Sequence, residues 1–174
     1  MAEHADRKLV LLRHAKSAWN DVPDHERPLA QRGRRDAPAM GRWLRAANHV
    51  PDQVLCSSAR RARETWQLSK AGLGSEPPVH FDNRVYQASA AQLLELLSEA
   101  TWPAKALLIV GHDPGIPELA VMLAETARAA GGDAQRPEQL VAAGVPRQRP
   151  ARHDDDRQVP DRDIQLPEHR LSFR

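Results

Sequence analysis

Short apolar runs alternate with longer amphipathic stretches along most of this chain. Three apolar runs predict buried strands, at Leu9–Leu12, Gln53–Ser57 and Ala106–Val110, and Val79–Phe81 predicts a shorter one. The stretches between them carry apolar residues at the spacing of a helix. Alternation of strand and helix is typical of an α/β fold with a largely parallel sheet.

Four helices are predicted where apolar residues recur every three or four positions. They are centred on Met40–Ala47, Arg60–Lys70, Leu93–Ala100 and Leu119–Thr126. Ser89 and Gln92 stand three residues apart before the third helix, which is the pattern of a capping box. Gly72 and Gly74 predict the end of the second helix, because glycine favours helix termini.

The pattern ends abruptly at Asp133. From there on Arg, Asp, Gln and Pro dominate, an acidic run stands at Asp154–Asp156, and no strand or helix period remains. Such a segment buries too little apolar surface to offset the entropy that is lost on ordering. We therefore expect one domain over residues 1–132 and a disordered tail over 133–174.

The composition favours a small protein that binds neither nucleic acid nor membrane. The 25 basic residues nearly balance the 23 acidic ones, and a net charge of +2 gives no basic face of the kind that nucleic acid requires. No signal peptide or membrane span is recognisable, and the one cysteine, Cys56, excludes an intrachain disulfide. We expect a cytoplasmic monomer that needs no cofactor.

Polar side chains cluster after each of the three main predicted strands. The clusters are Arg13 and His14, then Ser58, Arg60 and Arg61, and then Gly111, His112 and Asp113. Because the carboxyl ends of parallel strands share one edge, where ligands of such sheets bind, we expect the clusters to meet there.

This set of residue types suits phosphoryl transfer. An arginine presents a fork of donors that fits phosphate oxygens, a neutral imidazole can attack phosphorus, and a second imidazole can donate to the phosphoryl group. Taken singly, a histidine beside a strand end such as His14 is more often structural than catalytic, and His112 could be a hydrogen-bonded loop histidine. Arg61 alone would usually belong to a solvated helix face, but the joint occurrence of the three at strand ends is much less expected by chance. Arg13 and Arg61 would repel a metal ion between the two histidines, so we expect no metal site. The clusters indicate a phosphate site without naming the reaction.

Three motifs in the chain resemble those of the histidine phosphatase superfamily. The segment Leu11–Asn20, with its Arg-His-Ala-Lys-Ser start, is similar to the opening motif of the SixA-like phosphohistidine phosphatases. Ser57–Thr65 resembles the second block, in which the arginine of Arg-Ala-x-x-Thr falls on Arg61, and Gly111–Gly115 resembles the third. A shorter similarity covers the segments Arg27–Leu29, Arg32–Gly33 and Asp36–Ala37. The resemblance extends from Lys8 to Leu123.

The resemblance implies a three-layer α/β sandwich with a mostly parallel central sheet and helices on both faces. It implies that His14 is the nucleophile and that Arg13, Arg61 and His112 form the phosphate pocket. Asn20 and Lys16 are expected to contact the substrate, which the resemblance makes a phosphohistidine on a protein. Two alternatives stay open, a general phosphatase of small phosphoesters and an inactive module that binds phosphate or a phosphoprotein.

The chain departs from the family pattern in ways that bear on the reaction. Gln87 stands where many relatives carry a carboxylate that donates a proton, and Asp113 replaces an asparagine. An imidazole leaving group needs less protonation than an alkoxide does, so Gln87 favours a phosphohistidine substrate. Relatives also continue with antiparallel edge strands, and nothing after Gly132 resembles them. We therefore expect the C-terminal edge strand to be missing.

Overall fold

The protein is described by a computed structural model over residues 7–19, 21–99, 104–129 and 139–143. Within these residues the strands are β1 (Lys8–Arg13), β2 (Gln53–Ser57), β3 (Val79–Asp82), β4 (Ala106–Gly111) and β5 (Gln139–Ala143). The helices are α1 (Gln31–Ala46), α2 (Arg60–Leu73), α3 (Ala90–Glu99) and α4 (Gly115–Ala129). Two short 3-10 turns lie at Asp24–Glu26 and Asn83–Val85. The strands pair in parallel in the order β3-β2-β4-β1-β5.

Each face of the sheet is covered by a pair of helices, which confirms the predicted three-layer sandwich. Successive side chains of a strand point to opposite faces, so the buried strands supply both cores. The core under α3 and α4 contains Leu11, Leu55, Leu93, Ile109 and Leu119. The core under α1 and α2 contains Val10, Leu12, Leu44, Val54, Trp66 and Val110. Because apolar side chains are needed on both faces, the strands appear in the sequence as continuous apolar runs.

The ends of α2 and α3 show how local sequence sets the helix bounds. The capping box is present, since the Ser89 N–H donates to Gln92 Oε1 at 2.9 Å and the Gln92 N–H to Ser89 Oγ at 3.3 Å. Gly74 ends α2 in the left-handed conformation, with φ of 75°. The expectation that Gly72 also stops the helix is wrong. Gly72 lies inside α2, where the carbonyl of Pro38 in α1 leaves no room for a Cβ atom.

The tail contributes one strand to the sheet. β5 pairs in parallel with β1, with Leu9 opposite Leu140, so the expectation of disorder over 133–174 is wrong for these five residues. The expectation that the C-terminal edge strand is missing is wrong as well, because β5 occupies the sheet edge beside β1, as a parallel strand rather than an antiparallel one. The other residues of the tail lie outside the described residues.

Cys56 lies in β2, fully buried and as a free thiol. Burial raises the pKa of this thiol well above its usual range, so it is inert. In the described part of the chain, no helix has the length and apolar character that crossing a membrane requires.

Candidate active site

The three predicted clusters meet at one edge of the sheet. Arg13 is the last residue of β1 and lies opposite Gly111, the last residue of β4, in the parallel ladder. His14 follows at once, and its N–H donates to the Gly111 carbonyl at 3.0 Å. His112 follows β4 in the same way, so the two histidine rings approach to 5.0 Å between centroids. The positions of the strand ends in the parallel sheet therefore create the histidine pair.

His14 is held as a neutral imidazole whose lone pair lies on Nε2. Its Nδ1 lies 2.7 Å from the carbonyl of Ala15, which can only accept, so Nδ1 carries the proton. Nε2 then accepts from Nε of Arg61 at 3.2 Å. Burial lowers the pKa of His14 to about 4, and the charges of Arg61 and Arg13 act in the same direction. At neutral pH the ring is thus in the form that can attack phosphorus.

His112 offers a hydrogen-bond donor with no partner in the described part of the chain. Its ring is 4% exposed, and Nε2 lies 2.7 Å from the hydroxyl oxygen of Ser57. Ser57 Oγ also accepts from the Ala59 N–H at 3.3 Å, and His112 Nε2 is the acceptor that the Ser57 hydroxyl proton can reach among the described residues, so we assign the proton to that bond. The buried Nδ1 of His112, which has no partner, then carries the ring proton. Burial lowers the pKa of His112 to about 3, so it donates as a neutral ring.

Arg61 uses all three nitrogens of its guanidinium in the free protein. Besides Nε on His14, Nη1 donates to the carbonyl of Asp24 at 2.6 Å and Nη2 to the Asp24 carboxylate at 3.0 Å. The Arg61 side chain is 7% exposed. Arg60 instead points outward, with Nε bonded to Glu64 at 2.9 Å. Of these two neighbours, it is Arg61 that the helix aims at the histidines.

Thr65 links Arg61 to Ala15, the residue after His14. Its hydroxyl accepts from the Ala15 N–H at 3.0 Å and donates to the Arg61 carbonyl at 2.6 Å. The Thr65 side chain is fully buried, so neither bond is exchanged for one to water. This contact links the β1 loop to the first turn of α2.

The remaining predicted residues are placed at the rim or are not described. Arg13 pairs with Asp113 at 2.9 Å, and its side chain is 41% exposed. Its buried Nε has no hydrogen-bond partner among the described residues. Lys16 is exposed, and Asn20 lies outside the described residues. Gln87 is exposed as well, in a left-handed conformation with φ of 56°.

Two residues at the site went unrecognised in the sequence, Asp24 and Tyr86. The Tyr86 hydroxyl donates to Asp24 Oδ2 at 2.7 Å, and its ring meets that of His112 edge to face. Nothing in the spacing of Asp24 indicated a contact with Arg61, which is 37 residues away. Tyr86 did carry a signal, because it is the one tyrosine of the chain and precedes Gln87, at the expected carboxylate position.

The electrostatics of the site favour an oxyanion. Arg13 and Arg61 supply positive charge, and the His112 Nδ1–H supplies a neutral donor beside the His14 lone pair. In the described residues, no group of three or more His, Cys, Asp or Glu side chains is arranged to hold a metal ion. A tetrahedral phosphoryl group has oxygens for each of these donors, and its phosphorus would face a nucleophile.

Known proteins resemble this chain in sequence and in fold. A family model described as the histidine phosphatase superfamily, branch 1, matches residues 9–93. An uncharacterized protein of Mycobacterium tuberculosis is 43% identical over 114 residues, which make up 65% of this chain and 70% of that protein. The SixA structure from Agrobacterium tumefaciens is 28% identical to this chain and has a TM-score of 0.60 to it. The match covers 70% of this chain and 80% of that one.

A second SixA structure, from Nakamurella multipartitia, has a TM-score of 0.65 to this chain and 34% identity. The match covers 72% of this chain and 70% of that one. Identity at this level over most of a solved relative shows common descent as well as a common fold. This chain therefore belongs to the histidine phosphatase superfamily, and its fold is that of the SixA-like members.

Proposed function

We propose that this protein is a phosphohistidine phosphatase that acts on a phosphorylated protein. Membership of the superfamily supports the removal of a phosphoryl group by way of a histidine. The observation that carries the proposal is the neutral His14, whose Nε2 lone pair faces Nε of Arg61 at 3.2 Å.

The reaction runs in two displacements. His14 Nε2 attacks phosphorus, the bond to the substrate nitrogen breaks, and its electron pair returns to the leaving imidazole, which takes a proton from solvent. A water molecule then attacks the phosphoryl group on Nε2, loses its proton to solvent, and releases phosphate with the electron pair returning to His14. Arg61, Arg13 and the Nδ1–H of His112 would neutralise the charge on the phosphoryl oxygens in both steps.

The choice of phosphohistidine rests on the proton supply of the site. Gln87 has no acidic proton to give. Asp24 is the carboxylate nearest Arg61 in the described structure, and hydrogen bonds from Tyr86, Arg27 and Arg61 hold its pKa well below its usual range. It is therefore ionised at neutral pH and is a poor proton donor. An imidazole leaves without the strong acid that an alkoxide needs, so the site suits a phosphohistidine better than a phosphoserine.

The test compares phosphate release from a phosphohistidine peptide, a phosphoserine peptide and an aryl phosphate, with the full chain beside His14→Ala. We expect kcat/KM to be about 100-fold higher for the phosphohistidine peptide than for the phosphoserine peptide, since general acid catalysis contributes on this scale. Mass spectrometry should detect a phosphoryl group on the peptide that contains His14. His80→Ala is the matched control, because His80 is an exposed histidine of β3.

Two results would contradict the proposal, and each would favour a different function. Turnover confined to the phosphoserine peptide and the aryl phosphate would make the protein a general phosphomonoesterase. A folded protein that binds phosphate but turns over none of the three substrates would be a binding module.

A further inference from the structure

Two of the three guanidinium nitrogens of Arg61 are already bonded to Asp24 of the protein itself. Asp24 Oδ2 accepts from Nη2 at 3.0 Å, and the Asp24 backbone carbonyl accepts from Nη1. A phosphoryl group on His14 Nε2 would take the place of the hydrogen bond from Arg61 Nε, and its oxygens would then need the same guanidinium. Two oxyanions bonded to one guanidinium repel each other, so the Asp24 carboxylate opposes the binding of the phosphoryl group.

The two contacts with Asp24 differ in how easily they break. The Asp24 side chain is 42% exposed, whereas that of Arg61 is 7% exposed. When its Oδ2 leaves Arg61, the carboxylate has other partners besides water, because Oδ2 also accepts from the Tyr86 hydroxyl at 2.7 Å and Oδ1 accepts from Arg27 Nη1 at 2.8 Å. The backbone carbonyl stays with the Asp24–Glu26 turn and continues to orient Arg61. Exchange of the side chain for a phosphoryl group therefore requires no rearrangement of the core.

We propose that Asp24 is a specificity-determining residue whose carboxylate competes with the phosphoryl group for Arg61 and is exchanged for it in every turnover. Its return to Arg61 weakens the binding of free phosphate and promotes product release. A phosphohistidine peptide carries groups beyond its phosphoryl group that can contribute binding energy against this competition, and inorganic phosphate carries none. The inference rests on the proposed function only in taking Arg61 to bind phosphoryl oxygens.

The experiment measures the affinity of the full chain for inorganic phosphate by calorimetry and as product inhibition. In Asp24→Asn the side chain keeps its shape and loses its charge, and we expect phosphate to bind about tenfold more tightly, on the scale of a charge-assisted hydrogen bond. Asp24→Ala should also bind phosphate more tightly. Asp21→Asn is the matched control, because it removes the same charge from an exposed residue of the same segment and should leave the affinity unchanged.

A purely positioning role for Asp24 predicts the opposite result. If the carboxylate only orients Arg61, then Asp24→Ala weakens phosphate binding, and that outcome overturns the inference. Equal affinity in wild type and both variants, with all of them folded by thermal unfolding, also overturns it. Arg61→Ala separates the two proposals. Phosphate binding that survives this change contradicts the proposed function, whereas binding that depends on Arg61 but not on Asp24 contradicts the inference alone.

Discussion

Arg61 Nε donates a hydrogen bond to His14 Nε2 across 3.2 Å, which joins the charged end of α2 to the first residue after β1. The bond requires the Nε2 lone pair, so it forms with the neutral ring and with the tautomer that has its proton on Nδ1. Arg61, which we propose to hold the phosphoryl oxygens, thus also favours the form of His14 that the proposed attack on phosphorus requires.

Replacement of Arg61 by lysine should show whether positive charge at this position is enough for activity or whether the geometry of the guanidinium is needed too. Lysine keeps the positive charge but presents one ammonium group instead of a planar fork, so it cannot offer two phosphoryl oxygens the fixed pair of donors that a guanidinium does. We expect kcat/KM on a phosphohistidine peptide to fall about 100-fold, on the scale of a lost oxyanion donor. Arg60→Lys is the control, because Arg60 contacts Glu64 at the surface. Activity near wild type in Arg61→Lys would mean that charge suffices.

The Ser57 hydroxyl should matter for the rate because it sets the tautomer of His112. In Ser57→Ala the Nε2 atom loses its 2.7 Å partner, and the ring proton is no longer fixed on Nδ1. We expect kcat to fall about tenfold and the free energy of unfolding to drop by about 1 kcal/mol. Ser69→Ala removes another buried hydroxyl, which donates to the Ala37 carbonyl far from the site. It should lose similar stability with kcat unchanged, and equal kinetics in the two variants would contradict this role of Ser57.

Thr65→Val tests the link between the β1 loop and α2. Valine fills the same space but leaves the Ala15 N–H without an acceptor, which costs about 1–3 kcal/mol in a buried site. We expect this loss in urea unfolding, together with a lower kcat as the residue after His14 loosens. Thr126→Val in α4 is the matched control, because that threonine is exposed and donates within its own helix. Wild-type stability in Thr65→Val would show that the loop is held by other contacts.

Stability should fall as the pH is lowered from 7 to 5, owing to His14 and His112. Their pKa values are about 4 and about 3 in the folded protein, against 6.5 for an ordinary histidine. Below pH 6.5 the unfolded chain therefore takes up protons that the folded protein does not, and protonation favours unfolding. We expect a loss of about 2 kcal/mol for each histidine, measured by urea unfolding.

His14→Ala supplies the control for the pH prediction. With one of the two buried rings removed, the fall in stability between pH 7 and 5 should be about half as large. An unchanged slope would mean that other groups cause it. In the wild-type protein, the rate of phosphoryl transfer should fall as the pH drops below the pKa of His14, near 4, provided that the protein stays folded.

Much of the fold could be predicted from short-range patterns. The buried strands appeared as apolar runs because both faces of a parallel sheet are covered. Ser89 and Gln92 indicated the start of α3 because a capping box is a local motif. Gly72 and β5 could not be predicted in this way. The carbonyl that crowds Gly72 belongs to α1, and the pairing of β5 depends on the exposed edge of β1.

By itself, the sequence determined that His14, Arg61 and His112 reach one sheet edge, since each follows a strand and the strands run in parallel. Only the tertiary structure decided the state of these residues. The tautomer of His14 depends on the Ala15 carbonyl and Arg61, and the lowered pKa depends on burial. Asp24 reaches Arg61 because the turn that carries it folds back over α2. The succession of strands and helices along the chain follows from its periodicity. The order of the strands in the sheet, the hydrogen-bond partners and the burial arise from contacts between residues far apart in sequence.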